Sequence, residues 1–327
     1  MSSTPTQLLA TLNERAQQLC DKVIQQALPL DVSVSHHQNI TLIDFGVNRL
    51  GTFEGGLLLS RICLADLADV SITAATPQTH SLPQLQVVTD WPLQACIASQ
   101  YAGWPLATDQ YYAMTSGPGR LARGKEEILE RYQLTAEPDS IVLILESDQL
   151  PGTHEFELLR NEFGETRDIY LCIASTNSLP GTLQVVARSV ETAMHKLFEL
   201  GFDLCKVQRA TGIAPIPPIG KTSFQSLGWT NDAILYGGRV DLWFDATQHQ
   251  LAPIIDQIAS GSSADFGHPF ADIFEKYNRD FYQIDRLLFS PAEVCCNSLK
   301  DGKRKVTGQL RPDILDRSFG ESPGTNQ

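Results

Sequence analysis

The sequence predicts an α+β (mixed α/β) fold made of two domains. With 327 residues, 42% of them hydrophobic, the chain is long enough for about two hydrophobic cores. Strand-like and helix-like runs mix without the regular rhythm of a doubly wound sheet. A composition shift at residues 136–139 is the best linker candidate. We therefore expect an N-terminal domain at residues 1–137, a C-terminal domain at 138–301 and a polar tail at 302–327, with a ligand-binding cleft between the two domains.

Apolar spacing and turn residues predict the helices and strands. Apolar residues recur at helical spacing through the first 28 residues, which predicts an amphipathic helix that ends at Pro29. Runs of β-branched and aromatic residues predict strands at residues 40–47, 70–75, 85–89, 141–145, 169–174 and 239–244. Helical patterns and their caps predict helices at residues 57–67, 125–132, 183–200 and 269–284. The wholly apolar run at 141–145 is typical of a buried strand.

Charge and composition argue against several classes of protein. The chain has 38 acidic and 25 basic residues and a net charge of −13, whereas a protein that tracks nucleic-acid phosphates normally has a basic face. No stretch reaches the roughly 18 apolar residues of a membrane span, and the N-terminus lacks a signal-peptide pattern. Seven cysteines without a CxxC pair are typical of reduced thiols. We expect a cytoplasmic protein that binds neither nucleic acid nor membrane.

A glycine-rich loop offers one alternative function. Residues 119–125 match the GxxxxGK spacing of a phosphate-binding loop, but Glu126 follows where a Ser or Thr would bind magnesium. A surface loop that enters a helix is the simpler interpretation. A nucleotide-dependent enzyme, in which Arg120, Arg123 or Lys125 meets an anion, stays open at this stage.

Metal-ligand patterns are weak in this sequence. The pairs His36-His37 and Cys295-Cys296 are adjacent in the chain rather than spaced to face one ion, and no HExxH motif occurs. A zinc hydrolase would need ligands that converge from distant segments. We expect no metal ion and no cofactor.

A polar stripe marks the helix predicted at residues 183–200. Gln184, Arg188, Glu191 and His195 follow one another at spacings of four, three and four, which puts them on one face. Arg188 and Glu191 either form a solvated ion pair worth about 0.2–0.5 kcal/mol or lie in a cleft. A strand and a tight turn lead directly into this helix, which is the kind of place where clefts form. His195 is either a structural residue or a proton relay.

Several ordered blocks of sequence stand together with this helix. They include the run that begins Asn177-Ser-Leu-Pro-Gly and, in full, lie at residues 44–46, 55–56, 177–196, 230–238, 269–274, 280–285 and 289–291. Together they resemble the methenyltetrahydromethanopterin cyclohydrolase family, and the resemblance covers nearly the whole chain. The polar tail looks like an extension, to which no function is transferred.

The resemblance implies a reaction, a fold and an assembly. The family opens the cyclic methenyl group of a folate-like pterin carrier with water, reversibly, to give the formyl derivative, and uses neither metal nor nucleotide. Its catalytic glutamate and arginine lie three residues apart on a helix, which Glu191 and Arg188 match. Two mixed α/β domains around an active-site cleft, a small-molecule pterin substrate and a homotrimer are implied as well.

Each site residue can be given a role in that chemistry. The methenyl carbon belongs to an amidinium cation, so Glu191 would accept a proton from the attacking water and return one to the departing nitrogen. Arg188 would favour ionised Glu191, whereas burial of the pair would raise the pKa of Glu191, and the sequence leaves open which effect is larger. Thr176, Asn177 and Asn231 are expected to hydrogen-bond the pterin ring. A non-catalytic pterin-binding or assembly protein is the further alternative.

Two more carboxylates lie at the end of a predicted strand. Glu146 and Asp148 either bind the aminopyrimidine edge of the pterin or solvate a loop. The loop is the preferred interpretation.

Overall fold

Two six-stranded mixed β-sheets form the framework of the chain. The structure, a computed structural model, describes residues 5–74, 82–280 and 283–320. The strands are β1 Ser33–His37, β2 Ile40–Gly46, β3 Asp69–Thr73, β4 Gln84–Thr89, β5 Trp104–Ala107, β6 Tyr112–Ser116, β7 Ser140–Glu146, β8 Asp168–Ala174, β9 Val207–Pro215, β10 Arg239–Phe244, β11 Glu293–Ser298 and β12 Arg304–Gly308. The first sheet has the order β1-β2-β8-β7-β6-β5, and the second has the order β12-β11-β10-β9-β4-β3.

Helices cover both sheets. The α-helices of the described residues are α1 Pro5–Ala10, α2 Leu12–Gln25, α3 Ala27–Leu30, α4 Phe53–Cys63, α5 Arg120–Arg123, α6 Glu127–Arg131, α7 Thr153–Phe163, α8 Leu179–Val186, α9 Ser189–Glu199, α10 Ser223–Gly237, α11 Gln248–Leu251, α12 Phe270–Lys276 and α13 Pro312–Phe319. A π-helix spans Leu93–Gln100, and 3-10 helices lie at Leu204–Lys206, Ile255–Gln257, Ser260–Ser262 and Arg286–Leu288. Within these residues, no helix is long and apolar enough to cross a membrane.

Strand pairing confirms the predicted mixed α/β class. The pairs β2 with β8, β7 with β8 and β10 with β11 are parallel, and the remaining pairs are antiparallel. Such mixing is expected where helices and strands follow one another without a regular alternation.

The predicted buried strand is the centre of the first sheet. Alternate residues of β7 point to opposite faces, so Val142 and Ile144 join one apolar cluster and Ile141, Leu143 and Leu145 join another. Helices α2 and α4 contribute to the first cluster and α7 to the second. A strand covered on both faces needs apolar residues at every position, which explains the unbroken apolar run.

The predicted boundaries do not separate the two sheets. Strand β6 precedes residue 137 and pairs with β7, which follows it, and β4 pairs in the same way with β9. Strand β12 and helix α13 lie in the predicted polar tail, yet β12 pairs with β11 and α13 buries Ile314 and Leu315. A local composition shift carries no information about which distant strands pair, and each sheet takes strands from both sides of residue 137.

Several helix bounds differ from the prediction. The N-terminal helix is divided into α1, α2 and α3, and Pro29 lies within the short α3 rather than stopping the helix. The helix predicted at 183–200 is two helices, α8 and α9, and the one predicted at 269–284 is the shorter α12. Residue 75 of a predicted strand and residues 281–282 of that last helix lie outside the described residues.

Candidate active site

The break between α8 and α9 lies at Arg188. Helix α8 ends at Val186, α9 begins at Ser189, and the backbone N–H of Arg188 bonds the carbonyl of Val185 at 3.0 Å, three residues back. Glu191 therefore lies in the first turn of a new helix. The positive end of that helix dipole favours a negative charge there. No Gly or Pro marks this break, so the sequence prediction missed it.

Three elements hold the Arg188 side chain inside the protein. Its Nη1 donates to the carbonyl of Gln100 at 2.7 Å, and its Nη2 donates to Ser116 Oγ and to Gln184 Oε1, each at 3.1 Å. These partners come from the π-helix, β6 and α8. The pair with Glu191 is therefore buried and anchored, not the solvated surface pair that was one of the two alternatives.

Glu191 is a buried carboxyl group whose pKa lies near neutral pH. Its Oε2 lies 3.9 Å from Arg188 Nη1, and within the described part of the chain it accepts no hydrogen bond. Burial raises the pKa of Glu191 to about 7, against a lowering by Arg188 and then by Arg120. Such a group exchanges protons readily at neutral pH.

Arg120 is a second buried cation near this pair. Its Nε donates to Glu126 Oε1 at 2.8 Å, its Nη2 bonds the other oxygen of Glu126, and its Nη1 donates to the carbonyl of Ser99 at 3.1 Å. The guanidinium carbon lies 5.2 Å from the centre of the Tyr101 ring. Arg120 therefore belongs to the protein interior.

The other cations of the glycine-rich loop are paired as well. Lys125 Nζ lies 2.6 Å from Glu162 Oε1, and Arg123 Nε lies 3.6 Å from the same oxygen. The residue that replaces the magnesium-binding hydroxyl, Glu126, is the partner of Arg120. This arrangement disfavours the nucleotide alternative, because a phosphate would have to break each of these pairs.

His195 packs within an aromatic group on α9. Its ring stacks on Tyr101 with 5.2 Å between centres, and its Nε2 lies 3.4 Å from Glu199 Oε1. Burial lowers the pKa of His195 to about 4, helped by the nearby Arg286. A neutral stacked ring supports the structural role for His195.

A pocket of about 520 Å³ opens beside the first sheet. It is lined by Thr108, Asp109, Gln110, Tyr111, Tyr112, Glu146, Ser147, Asp148, Gln149, Thr176, Ser223, Phe224 and Leu227. The last three lie at the start of α10, which also packs against β9 of the second sheet. None of these described lining residues is Lys, Arg or His, so the pocket wall is acidic.

Of the three predicted ring-binding residues, Thr176 lines this pocket and the other two do not. Thr176 lies on its wall and donates to Glu146 Oε1 at 2.6 Å. Asn177 lies off the described wall and accepts from Ser175 Oγ at 2.5 Å. Asn231 also lies off the wall and donates to the carbonyl of Leu227 at 2.8 Å, one turn beyond the pocket.

Glu146 and Asp148 lie on the pocket wall, so the solvated loop and a role in binding the pterin edge both stay predictions. Glu146 is the last residue of β7. Arg188 and Glu191 do not line the described pocket. Gln184 joins the two regions, since its Oε1 accepts from Arg188 and its Nε2 donates to Glu146 Oε2 at 3.4 Å. Gln184 lies on the predicted polar stripe, but the sequence pattern indicates no function for it.

Close packing explains two glycines near the start of the chain. A Cβ at Gly56 on α4 would lie 2.5 Å from Leu183 Cδ1, and a Cβ at Gly46 would lie 2.1 Å from Ser178 Oγ. Ser178 in turn caps α8, accepting from the N–H of Gly181 at 3.1 Å. These glycines let β2 and α4 approach the helix that leads to Arg188.

Comparison with known proteins decides the family. A family model described as Cyclohydrolase (MCH) matches residues 11–319. A methenyltetrahydromethanopterin cyclohydrolase of Rhodopirellula baltica is 42% identical over 301 residues, which cover 90% of this chain and 89% of that protein. The chain belongs to this cyclohydrolase family. The predicted resemblance is thereby confirmed.

Further relatives cover nearly their full lengths. Proteins of the same name from Methylobacterium sp. and Methanococcoides burtonii are 39% and 36% identical over 325 and 316 residues. The matches cover 98% and 95% of this chain and 100% and 99% of those proteins, respectively. Because the cyclohydrolase model reaches residue 319, most of the predicted tail is part of the family fold, and its interpretation as an extension was wrong.

Metal-ligating side chains are dispersed in the described residues. Residues 5–74, 82–280 and 283–320 contain no group of three or more His, Cys, Asp or Glu side chains placed to hold an ion.

Proposed function

We infer that this chain is a methenyltetrahydromethanopterin cyclohydrolase, which adds water to the methenyl bridge and gives formyltetrahydromethanopterin reversibly. Its relatives carry that name over nine-tenths or more of the chain. We propose that Glu191 is the general acid and base of the reaction and that Arg188 assists it.

The reaction needs one group that accepts and then returns a proton. The oxygen of water attacks the bridge carbon of the amidinium cation, and Glu191 takes the proton that water loses. The bond between the carbon and one ring nitrogen then breaks as the hydroxyl of the adduct becomes the formyl carbonyl. Glu191 returns its proton to that nitrogen, and the hydroxyl proton is released to solvent, which removes the positive charge of the substrate. A pKa of about 7 suits both proton transfers, because at neutral pH the carboxylate can accept a proton and the carboxylic acid can donate one.

Arg188 supports this role through its charge and its anchoring. The guanidinium lies near Glu191 without filling the hydrogen-bonding positions of its carboxylate, so these stay open to water. Its bonds to Gln100 and Ser116 fix the cation in place. The positive charge keeps part of the Glu191 population ionised despite burial.

We propose that the acidic pocket is the interdomain active-site cleft and receives the pterin ring. The aminopyrimidine edge of a pterin presents N–H donors, and Glu146 offers carboxylate oxygens on the pocket wall. Thr176 steadies Glu146 from one side. A wall without basic residues also suits a cationic substrate. Contacts from Asn177 and Asn231 to the ring stay predictions.

Assembly and location follow from the family resemblance alone. We propose a homotrimer in the cytoplasm that requires no metal and no added cofactor. Sedimentation of the purified protein tests the trimer.

The buried Glu191 beside anchored Arg188 carries the enzymatic proposal, because burying a carboxylate with a raised pKa costs stability that a binding protein need not lose. The test is loss of the conjugated absorbance of methenyltetrahydromethanopterin, with the tetrahydrofolate analogue run in parallel. We expect loss well above the uncatalysed rate. Pterin binding without turnover would instead support the non-catalytic alternative.

A further inference from the structure

Gln184 occupies a position that requires a side chain able to accept one hydrogen bond and donate another. Its side chain is 1% exposed, with Arg188 on one side and Glu146 on the other. A guanidinium only donates hydrogen bonds and a carboxylate only accepts them. The carbonyl oxygen of Gln184 must therefore face Arg188 and its NH₂ group must face Glu146. Neither a carboxylate nor an apolar side chain at this position can make both bonds.

We propose that Gln184 is a positioning residue, which couples Glu146 in the pocket to the Arg188 guanidinium and so to the proton affinity of Glu191. This inference rests on the proposed roles of Arg188, Glu191 and the pocket. It adds a link between the place where the substrate binds and the place where the proton moves.

The two bonds of Gln184 differ in a way that suits such a link. The bond from Arg188 has an ordinary length of 3.1 Å, whereas the bond to Glu146 is long at 3.4 Å. Glu146 can therefore exchange this weak partner for a donor on the substrate at little cost. Loss of this restraint changes how firmly the Gln184 carbonyl oxygen holds Arg188 Nη2, while the bonds to Gln100 and Ser116 keep the guanidinium in place.

The chemical nature of the side chain at residue 184 should influence the pH dependence of kcat/KM. In Gln184→Glu, the new carboxylate faces both Arg188 and Glu146. The negative charge that it shares with Glu146 offsets the positive charge of Arg188, which otherwise lowers the pKa of Glu191. Glu191 then ionises at a higher pH, and the acid limb of kcat/KM should move upward by about one pH unit. A side chain that merely filled space would leave this limb in place.

A matched control separates this effect from added charge in general. Gln84 on β4 is as deeply buried as Gln184 but lies off the pocket wall, and its side chain donates to the carbonyl of Leu82. Gln84→Glu adds the same buried charge and should leave the acid limb where the wild type has it. An unmoved limb in Gln184→Glu, or an equal shift in Gln84→Glu, would overturn the proposal.

A double-mutant cycle provides a test that adds no buried charge. Gln184→Met keeps the length of the side chain but removes both bonds, and Glu146→Gln neutralises the pocket end. If Gln184 couples the two regions, the combined loss in kcat/KM should be at least threefold smaller than the product of the single losses. If the two losses simply multiply, the proposed coupling is wrong.

Glu191→Gln is measured in parallel to separate the two proposals. Full turnover in that variant refutes the proposed base. An inactive Glu191→Gln together with an unmoved acid limb in Gln184→Glu refutes only the role of Gln184.

Discussion

Nη1 of Arg188 lies 3.9 Å from Oε2 of Glu191, and the two side chains are only 10% and 8% exposed. At this distance the charges attract, but no hydrogen bond forms. The cation can therefore tune the carboxylate without occupying the oxygens that a water molecule needs.

Removal of the Arg188 charge should move the pH dependence of ring opening. Arg188 lowers the pKa of Glu191 against the effect of burial, so Arg188→Gln should raise that pKa above about 7. Ring opening needs the ionised base, and its acid limb should move to higher pH by about one unit. The kcat/KM profile from the absorbance assay measures this. Arg188→Lys keeps the charge and should shift the limb less; a larger shift in Arg188→Lys would contradict the account.

The buried carboxylate should cost stability at high pH. Folding raises the pKa of Glu191 from 4.5 to about 7, so its favourable contribution is complete below pH 4.5 and is lost as pH rises through 7. Glu191→Gln resembles the protonated form and should exceed the wild type by roughly 3 kcal/mol at pH 8, but by little near pH 4.5. Denaturant unfolding at both pH values measures the difference. The same substitution at exposed Glu165 is the control and should show no such pH dependence.

Some of these features can be predicted from the sequence, whereas others depend on the tertiary fold. The unbroken apolar run of β7 was predictable, because a strand covered on both faces leaves no polar position. The spacing of Arg188 and Glu191 was visible too. The helix break at Arg188 was not, since no local breaker marks it, and neither was the pairing of β4 with β9. Gln184 and Glu146 lie 38 residues apart, and only the tertiary fold brings them together.

The buried pair of Arg120 and Glu126 should matter for folding rather than for phosphate binding. Glu126→Gln would leave a fully buried guanidinium without its counter-charge, which should reduce the free energy of unfolding by about 3 kcal/mol. Glu162→Gln breaks the more exposed pairs with Lys125 and Arg123 and should cost less than about 1 kcal/mol. Denaturant unfolding measures both variants. Equal stabilities would contradict the interior role assigned to Arg120.

Pocket substitutions should act mainly on substrate binding. Thr176→Val removes the hydroxyl that bonds Glu146 while keeping the shape of the side chain, so KM for the methenyl pterin should rise about fivefold, a free-energy loss of about 1 kcal/mol. The expected change in kcat is smaller. Thr41→Val on β2, away from the pocket wall, is the matched control. If both variants kept the wild-type KM, the pterin ring would have to bind elsewhere.

Turnover by Glu191→Gln tests the proposed general acid and base directly. This substitution keeps the shape of the side chain and removes its ability to accept a proton. We expect kcat for opening methenyltetrahydromethanopterin to fall by at least about 10²-fold, while the variant still binds the pterin. Turnover close to that of the wild type would exclude Glu191 as the base.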